Sequence, residues 1–125
     1  MAILILGGLV PGDQGIFLDH EVLRAWVPKL CRLIDMHPVG DPILQPYGSW
    51  GEGSPSIVQF LEESALLIHT YFERKYVEFV LHSCKAIPGE DDVGGPVTEA
   101  IVKQLALDVR ERHYLGTFNW RDLSA

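Results

Sequence analysis

Three consecutive strand-like segments in the middle of the chain constrain the fold most. They cover residues 56–62, 65–71 and 76–84, and they are rich in Ile, Leu, Val and Phe. In the last segment Val77, Phe79 and Leu81 alternate with a second set of residues, which predicts a strand with two different faces. Because only the short link Glu73-Arg74-Lys75 joins the last two segments, they are expected to form a hairpin.

Helices and further strands are predicted on both sides of these segments. An apolar run over residues 3–10 predicts a buried first strand. An apolar stripe at helical spacing predicts a helix from about 20 to 36, with Asp19 as its N-cap. Pro28 lies inside this stripe and is expected to kink or split the helix. Residues 37–55 are rich in Pro and Gly, so they are expected to form a loop with one short strand near 43–46.

A second helix and a last strand follow the three segments. Residues 88–95 form an acidic, glycine-rich stretch and are expected to be a surface loop. Pro96 suits the first position of a helix. The apolar side of that helix is expected to carry Ala100, Ile101, Leu105 and Val109. Residues 113–118 are expected to form the last strand.

This order of elements predicts an α+β fold. We expect a two-layer α/β sandwich with a mainly antiparallel sheet and the helices on one face. The 125 residues suffice for a single domain that spans 1–125. The other face of the sheet then needs a cover, and we expect a homodimer to provide it.

Charge and cysteine content exclude several classes of protein. Ten Lys and Arg residues against 17 Asp and Glu give a net charge of −7, and no basic cluster is present, so no nucleic-acid partner is expected. The apolar N-terminus has no basic residues before it and is too short to span a bilayer, so no membrane partner is expected. With two cysteines, Cys31 and Cys84, free thiols in the cytoplasm are the expected state.

The residues capable of chemistry lie in the three strand-like segments and in the short links between them. In chain order they are Ser56, Glu63, Ser64, His69, Glu73 and Cys84. The two serines are eight residues apart, and the histidine follows the second serine by five residues. The glutamate follows that histidine by four residues, and the cysteine follows the second serine by twenty. This pattern resembles the prokaryotic S-adenosylmethionine decarboxylases, a family of small enzymes with a pyruvoyl group.

The resemblance implies that the chain cuts itself between Glu63 and Ser64. The Ser64 hydroxyl would attack the Glu63 carbonyl, and elimination would leave a pyruvoyl group at the start of residues 64–125. His69 is implied as the base that removes the Ser64 α-proton. Ser56 is implied to hold or polarise the Glu63 carbonyl oxygen.

The resemblance also implies how a substrate is decarboxylated. The pyruvoyl ketone would condense with the substrate amine and accept the electrons left by carbon dioxide. Cys84 would return a proton to the substrate, since an ordinary thiol is mostly protonated at neutral pH. Glu73 would bind the ribose hydroxyls, and Trp50 would stack on the adenine. The small-molecule substrate implied is S-adenosylmethionine, whose decarboxylated product feeds polyamine (spermidine) synthesis.

Some positions depart from the family pattern. Ala65 stands where the family has a histidine, Tyr71-Phe72 stand where it has Trp-Pro, and Gly7-Gly8 replace a Gly-x-His motif. These changes leave open a decarboxylase of a basic amino acid, arginine or ornithine, with the same cofactor. A homologue that binds ligands without cleaving itself is the third alternative. His69, His82 and Cys84 lack the spacing typical of a zinc site, so no metal is expected.

Overall fold

The computed structural model describes residues 1–11, 20–46, 55–62 and 64–116. These residues form, in chain order, β1 (Ala2–Leu9), α1 (His20–Leu33), β2 (Ile43–Pro46), β3 (Pro55–Phe60), β4 (Ser64–Tyr71), β5 (Tyr76–Ser83), α2 (Pro96–Leu105) and β6 (Asp108–Leu115). A short 3-10 turn over Phe72–Arg74 joins β4 to β5. The three predicted strand segments are therefore present, and the last two form the expected hairpin.

The strands build one sheet in the order β2-β3-β4-β5-β1-β6. Every neighbouring pair is antiparallel. β1 lies between β5 and β6, so the first strand of the chain is covered by hydrogen-bonded neighbours on both sides. The predicted α+β sandwich with an antiparallel sheet is confirmed.

The hydrophobic core lies between the two helices and one face of the sheet. Alternate strand residues are buried there, as the period of two in a strand requires: Leu4, Leu6, Ile57, Leu66, Ile68, Val77, Phe79 and Leu81. The helices contribute Leu23, Val27, Leu30, Val97, Ile101 and Leu105. We call the other face of the sheet the open face, because neither α1 nor α2 packs on it.

The first helix differs from its prediction in two respects. It runs through Pro28 without a break. The carbonyl that loses its donor belongs to the exposed Arg24, where water can solvate it. The helix also ends earlier than predicted, because Asp35 adopts a left-handed conformation with φ 58° and the Met36 N–H bonds to the Cys31 carbonyl. The predicted N-cap, Asp19, lies outside the described residues.

The second helix is shorter than predicted. Ala106 adopts a left-handed conformation and its N–H bonds to the Val102 carbonyl, which ends α2 at Leu105. Val109 therefore lies in β6 and not on the helix, and the last strand starts at Asp108 instead of residue 113. Val109 continues the helical spacing of Leu105, so the apolar pattern alone could not separate the two elements. In the described ranges neither helix is long and apolar enough to cross a membrane.

A buried ion pair ties α2 to β6. The Glu90 side chain is fully buried, and its carboxylate accepts hydrogen bonds from the Thr98 N–H at 2.7 Å and the Thr98 hydroxyl at 3.0 Å. Arg112 donates to the same carboxylate at 2.7 Å. A Cβ on Gly95 would lie 2.6 Å from Cδ of Glu90, so the glycine makes room for the carboxylate. Glu90 thus caps the helix from a stretch that the sequence predicts to be a surface loop.

Arg112→Met is expected to lower the free energy of unfolding by about 3 kcal/mol, because it leaves the buried Glu90 charge without its partner. Arg110→Met is the matched control, since the Arg110–Asp108 pair is more than half exposed. Its loss should cost less than about 1 kcal/mol. Urea denaturation followed by circular dichroism measures both, and equal losses would contradict the assignment.

Candidate functional site

Ser64 is the first residue of β4. The register pairs Phe60 with Ala65 across β3 and β4. The Leu61 N–H donates to the Ser64 carbonyl at 3.0 Å. Only residues 62 and 63 lie between these partners in the sequence, and the predicted cleavage bond joins residue 63 to Ser64. Glu63 itself lies outside the described residues.

The Ser64 hydroxyl is hydrogen-bonded to Nδ1 of His82. His82 lies on β5 directly opposite Ala65, while Ser64 itself is opposite Ser83. The sequence pattern does not assign His82 to the site. The hairpin predicted from the sequence could nevertheless have indicated it. If Tyr71 pairs with Tyr76, the register brings His82 next to the start of β4.

A second serine–histidine pair lies further along β4. Ser56 on β3 and His69 on β4 are direct cross-strand neighbours, and the Ser56 hydroxyl oxygen is 2.6 Å from Nδ1 of His69. The buried Thr70 hydroxyl donates to the Pro55 carbonyl at 2.7 Å, which fixes the two strands at this point. Burial lowers the pKa of His69 below its ordinary value of 6.5. The ring is therefore neutral at neutral pH and is able to accept a proton.

Cys84 lies at the Ser64 end of the sheet. It follows Ser83, the last residue of β5, whose Cα is opposite that of Ser64. The Lys85 N–H donates to the Ser83 hydroxyl at 3.3 Å, so the chain turns immediately after the strand. Cys84 is exposed. The structure therefore brings two predicted site residues, Ser64 and Cys84, to the same end of the β4–β5 hairpin.

The remaining predicted residues lie elsewhere along the sheet. His69 follows Ser64 by five residues on a single strand, which separates their Cα atoms by about 16 Å. Glu73 is exposed in the turn beyond the far end of β4. Within one chain, Ser64 and Cys84 thus form one group, and Ser56, His69 and Glu73 lie apart from it. Trp50 lies outside the described residues.

The residues of the open face form three rows that run across the strands, and these rows show how far the two groups are separated. The polar row contains Ser56, His69, Glu78, Gly7 and Glu111; the apolar row contains Ile43, Val58, Leu67, Val80 and Ile5 and ends at His113 on β6; the third row contains Phe60, Ala65, His82, Ile3 and Leu115. Neighbouring rows are about 7 Å apart. The apolar row therefore lies between the His69 end and the Ser64 end of the face.

A cavity opens at the end of the face next to the polar row. It has a volume of about 690 Å³ and is lined by Leu9, Tyr71, Arg74, Tyr76 and Glu78. The rings of Tyr71 and Tyr76 are in contact, with centroids 6.1 Å apart. The 3-10 turn that carries Glu73 also provides Arg74, one of the residues that line the cavity.

The carboxyl group of Glu78, which lines the cavity, has a raised pKa. Burial raises the pKa of Glu78 above 4.5, and the hydrogen bond to Glu111 and its charge raise it further. Burial and the charges of Glu111 and Glu78 also raise the pKa of Tyr76. The Tyr76 hydroxyl lies over Gly7, where any Cβ would overlap with it. This explains why β1 has a glycine at that position.

Within the described residues, no group of three or more His, Cys, Asp or Glu side chains is placed to hold a metal ion.

The amino-acid sequence matches a known protein family over most of its length. A family model described as S-adenosylmethionine decarboxylase matches residues 5–110. The match extends from β1 into β6 and includes every predicted site residue. The chain belongs to the S-adenosylmethionine decarboxylase family, and the resemblance stated from the sequence is confirmed. The family is one of decarboxylases, and therefore of lyases, and is generally pyruvoyl-dependent. No curated protein matches the chain.

Glu78→Gln is expected to stabilise the protein more at pH 8 than at pH 4. The folded-state pKa of Glu78 is raised above 4.5, so the folded protein binds more protons than the unfolded chain as pH rises through this range. Wild-type stability is therefore lost with rising pH, and the neutral glutamine removes that loss. Thermal unfolding at both pH values measures the difference. The exposed Glu99→Gln is the control, and a pH-independent effect of Glu78→Gln would contradict the raised pKa of Glu78.

Proposed function

We propose that this chain is a self-processing, pyruvoyl-dependent decarboxylase of S-adenosylmethionine that supplies polyamine (spermidine) synthesis. The observation that carries the proposal is the position of Ser64. Its hydroxyl is hydrogen-bonded to the His82 imidazole, it is the first residue of β4, and Cys84 is at the same end of the β4–β5 hairpin. Family membership supports the decarboxylase activity, and the geometry supports the use of this serine.

In the proposed cleavage, the Ser64 hydroxyl oxygen attacks the Glu63 carbonyl carbon and converts the peptide bond into an ester. His69 then removes the α-proton of Ser64, and the Glu63 carboxylate leaves. Water hydrolyses the resulting dehydroalanine, releases ammonia and leaves the pyruvoyl group on residues 64–125. If Nδ1 of His69 donates to the Ser56 oxygen, Nε2 is left unprotonated to act as the base.

The residues at the Ser64 end fit a pyruvoyl group at that position. The group supplies an electron sink for the carbanion that remains when carbon dioxide departs. The Ser64 oxygen is hydrogen-bonded to the His82 imidazole. Cys84, which is exposed, directly follows Ser83, the residue opposite Ser64. Cys84 is proposed to return a proton from Sγ to the substrate α-carbon.

A second copy of the chain is proposed to complete the site. His69 is about 16 Å from Ser64 along the same strand, so it cannot reach the Ser64 α-proton within one chain. In a homodimer formed by two open faces, a two-fold axis through the apolar row would lay the His69 end of one copy over the Ser64 end of the other. The exposed side chains of Ile43, Phe60 and Leu115 on this face support such an interface.

The same arrangement would bring Glu73 of one copy to the substrate held at Ser64 of the other. A carboxylate can accept hydrogen bonds from both hydroxyls of a ribose. The Glu78–Glu111 pair gives the nearby face an acidic character that suits a cationic substrate. S-adenosylmethionine, arginine and ornithine are all cationic, so the ribose is what distinguishes the first from the other two.

Intact mass under denaturing conditions tests the cleavage. We expect the purified wild-type chain to give two fragments that meet between Glu63 and Ser64, the second beginning with a ketone instead of an amine. Ser64→Ala should remain whole, because it lacks the attacking oxygen, and Ser83→Ala is the matched control that should still be cut. A wild-type chain that stays whole after long incubation would favour the non-cleaving homologue.

Carbon dioxide release from carboxyl-labelled substrates tests the chemistry. Release from S-adenosylmethionine and none from arginine or ornithine is the expected result. The reverse preference would identify an amino-acid decarboxylase with the same cofactor.

Co-expression of two inactive variants tests the shared site. Cys84→Ala and Glu73→Gln should each be cut normally but each release carbon dioxide at least ~100-fold more slowly, since one lacks the proton donor and the other a substrate contact. Heterodimers of the two should regain part of the activity, because one of their two sites would be intact. Heterodimers of Cys84→Ala with Ser64→Ala are the control and should stay inactive. No recovery in the first pair would contradict the shared site.

A further inference from the structure

The imidazole that contacts Ser64 belongs to its own chain and is not the one that the sequence pattern assigns. We propose that His82 is the catalytic base that accepts the Ser64 hydroxyl proton during self-cleavage, a step separate from the α-proton removal assigned to His69. The inference rests on the proposed self-processing and names a further catalytic residue for it.

The proposal rests on the contact between His82 and Ser64. Nδ1 of His82 is hydrogen-bonded to the Ser64 hydroxyl oxygen, which is the atom that must lose a proton to become a nucleophile. General-base catalysis requires hydrogen-bond reach of that proton. His82 meets this condition within one chain, whereas His69 is about 16 Å along the strand from Ser64.

The register explains how His82 reaches the serine. His82 and Ala65 are direct cross-strand neighbours on the open face, and Ser64 precedes Ala65 at the start of β4. The methyl group of Ala65 is small enough to leave the ring free to turn towards Ser64. The family pattern has a histidine at position 65 on β4. In this chain that position is Ala65, and the imidazole comes from His82 on the neighbouring strand β5.

His82 alone can both accept and return the proton that moves in this step. Nδ1 takes the proton from the Ser64 hydroxyl as its oxygen bonds to the Glu63 carbonyl carbon. The carbon–nitrogen bond between Glu63 and Ser64 then breaks, and Nδ1 returns the proton to the departing Ser64 nitrogen. The products are an ester and a free amine on Ser64, with His82 neutral again. Removal of the α-proton by the second histidine follows this step.

The first test measures the rate of self-cleavage in newly made protein. His82→Asn keeps a hydrogen-bonding atom near the Nδ1 position but cannot accept the proton, so cleavage should slow by at least ~100-fold. His113→Asn is the matched control, because this exposed histidine lies on the same face two strands away from β5. It should be cut at the wild-type rate.

The second test uses chemical rescue. His82→Ala leaves a gap in a half-buried position, and added imidazole should restore part of its cleavage. A histidine with only a structural role would give no such recovery. Rescue also decides the matter if circular dichroism shows that His82→Asn is not folded.

The third test locates the blocked step with hydroxylamine, which cleaves esters but leaves peptide bonds intact. His69→Asn should accumulate the ester, so hydroxylamine should release a second fragment that begins with an unmodified serine. His82→Asn should not form the ester, and hydroxylamine should leave it whole.

The outcomes separate this inference from the proposed function. A wild-type chain that is never cut overturns both. Wild-type cleavage with an equally fast His82→Asn overturns the role of His82 alone. Release of fragments from His82→Asn by hydroxylamine would show that His82 acts after the ester, which also overturns the assigned step.

Discussion

The pairing register of two neighbouring hairpins is the constraint on which the rest of the site depends. It sets Ser56 opposite His69 in one hairpin and Ser64 opposite Ser83 in the other. Because side chains alternate between the faces of a sheet, a slip of one residue would turn His69 into the core and bring an apolar neighbour to the open face. Buried residues of the same strands, such as Ile68 on β4 and Phe79 on β5, prevent that slip because they fill the core.

The opposite edge of the sheet depends on glycine and on a buried charge. β1 fits between β5 and β6 because Gly7 lies under the Tyr76 hydroxyl and Gly8 lies against the Asp108 backbone. The pairing with β6 shifts register between these two glycines, which is a β-bulge. The Gly7-Gly8 pair, which departs from the family pattern, thus has a structural cause. Glu90 then anchors β6 to α2 through Arg112.

The open face connects the fold with the proposed chemistry. It separates the two serine–histidine pairs by an apolar row and leaves large apolar side chains exposed. Within the described residues, a single chain therefore holds Ser64, the proposed cleavage serine, beside His82, while the proposed second base, His69, lies about 16 Å away along the strand. A symmetric pair of chains would supply that base and the ribose-binding carboxylate together, so assembly and catalysis would depend on the same surface.

The sequence by itself determined the three central strands, the hairpin between the last two of them, and the family. Alternation in β5 and the short link after β4 are local signals, and the spacing from Ser56 to Cys84 is a linear pattern, so each can be read without coordinates. Other features depended on contacts between distant residues. The helical spacing that continues to Val109 was broken by the left-handed Ala106, and Glu90 was buried by Thr98 and Arg112.

Only the tertiary structure decided which histidine lies beside which serine. Spacing along the chain suggested His69 for Ser64, but an extended strand keeps these two residues far apart. The pairing of β4 with β5 brings His82 to Ser64 instead. A linear pattern records which residues are present, whereas the register of the sheet determines which of them can exchange a proton.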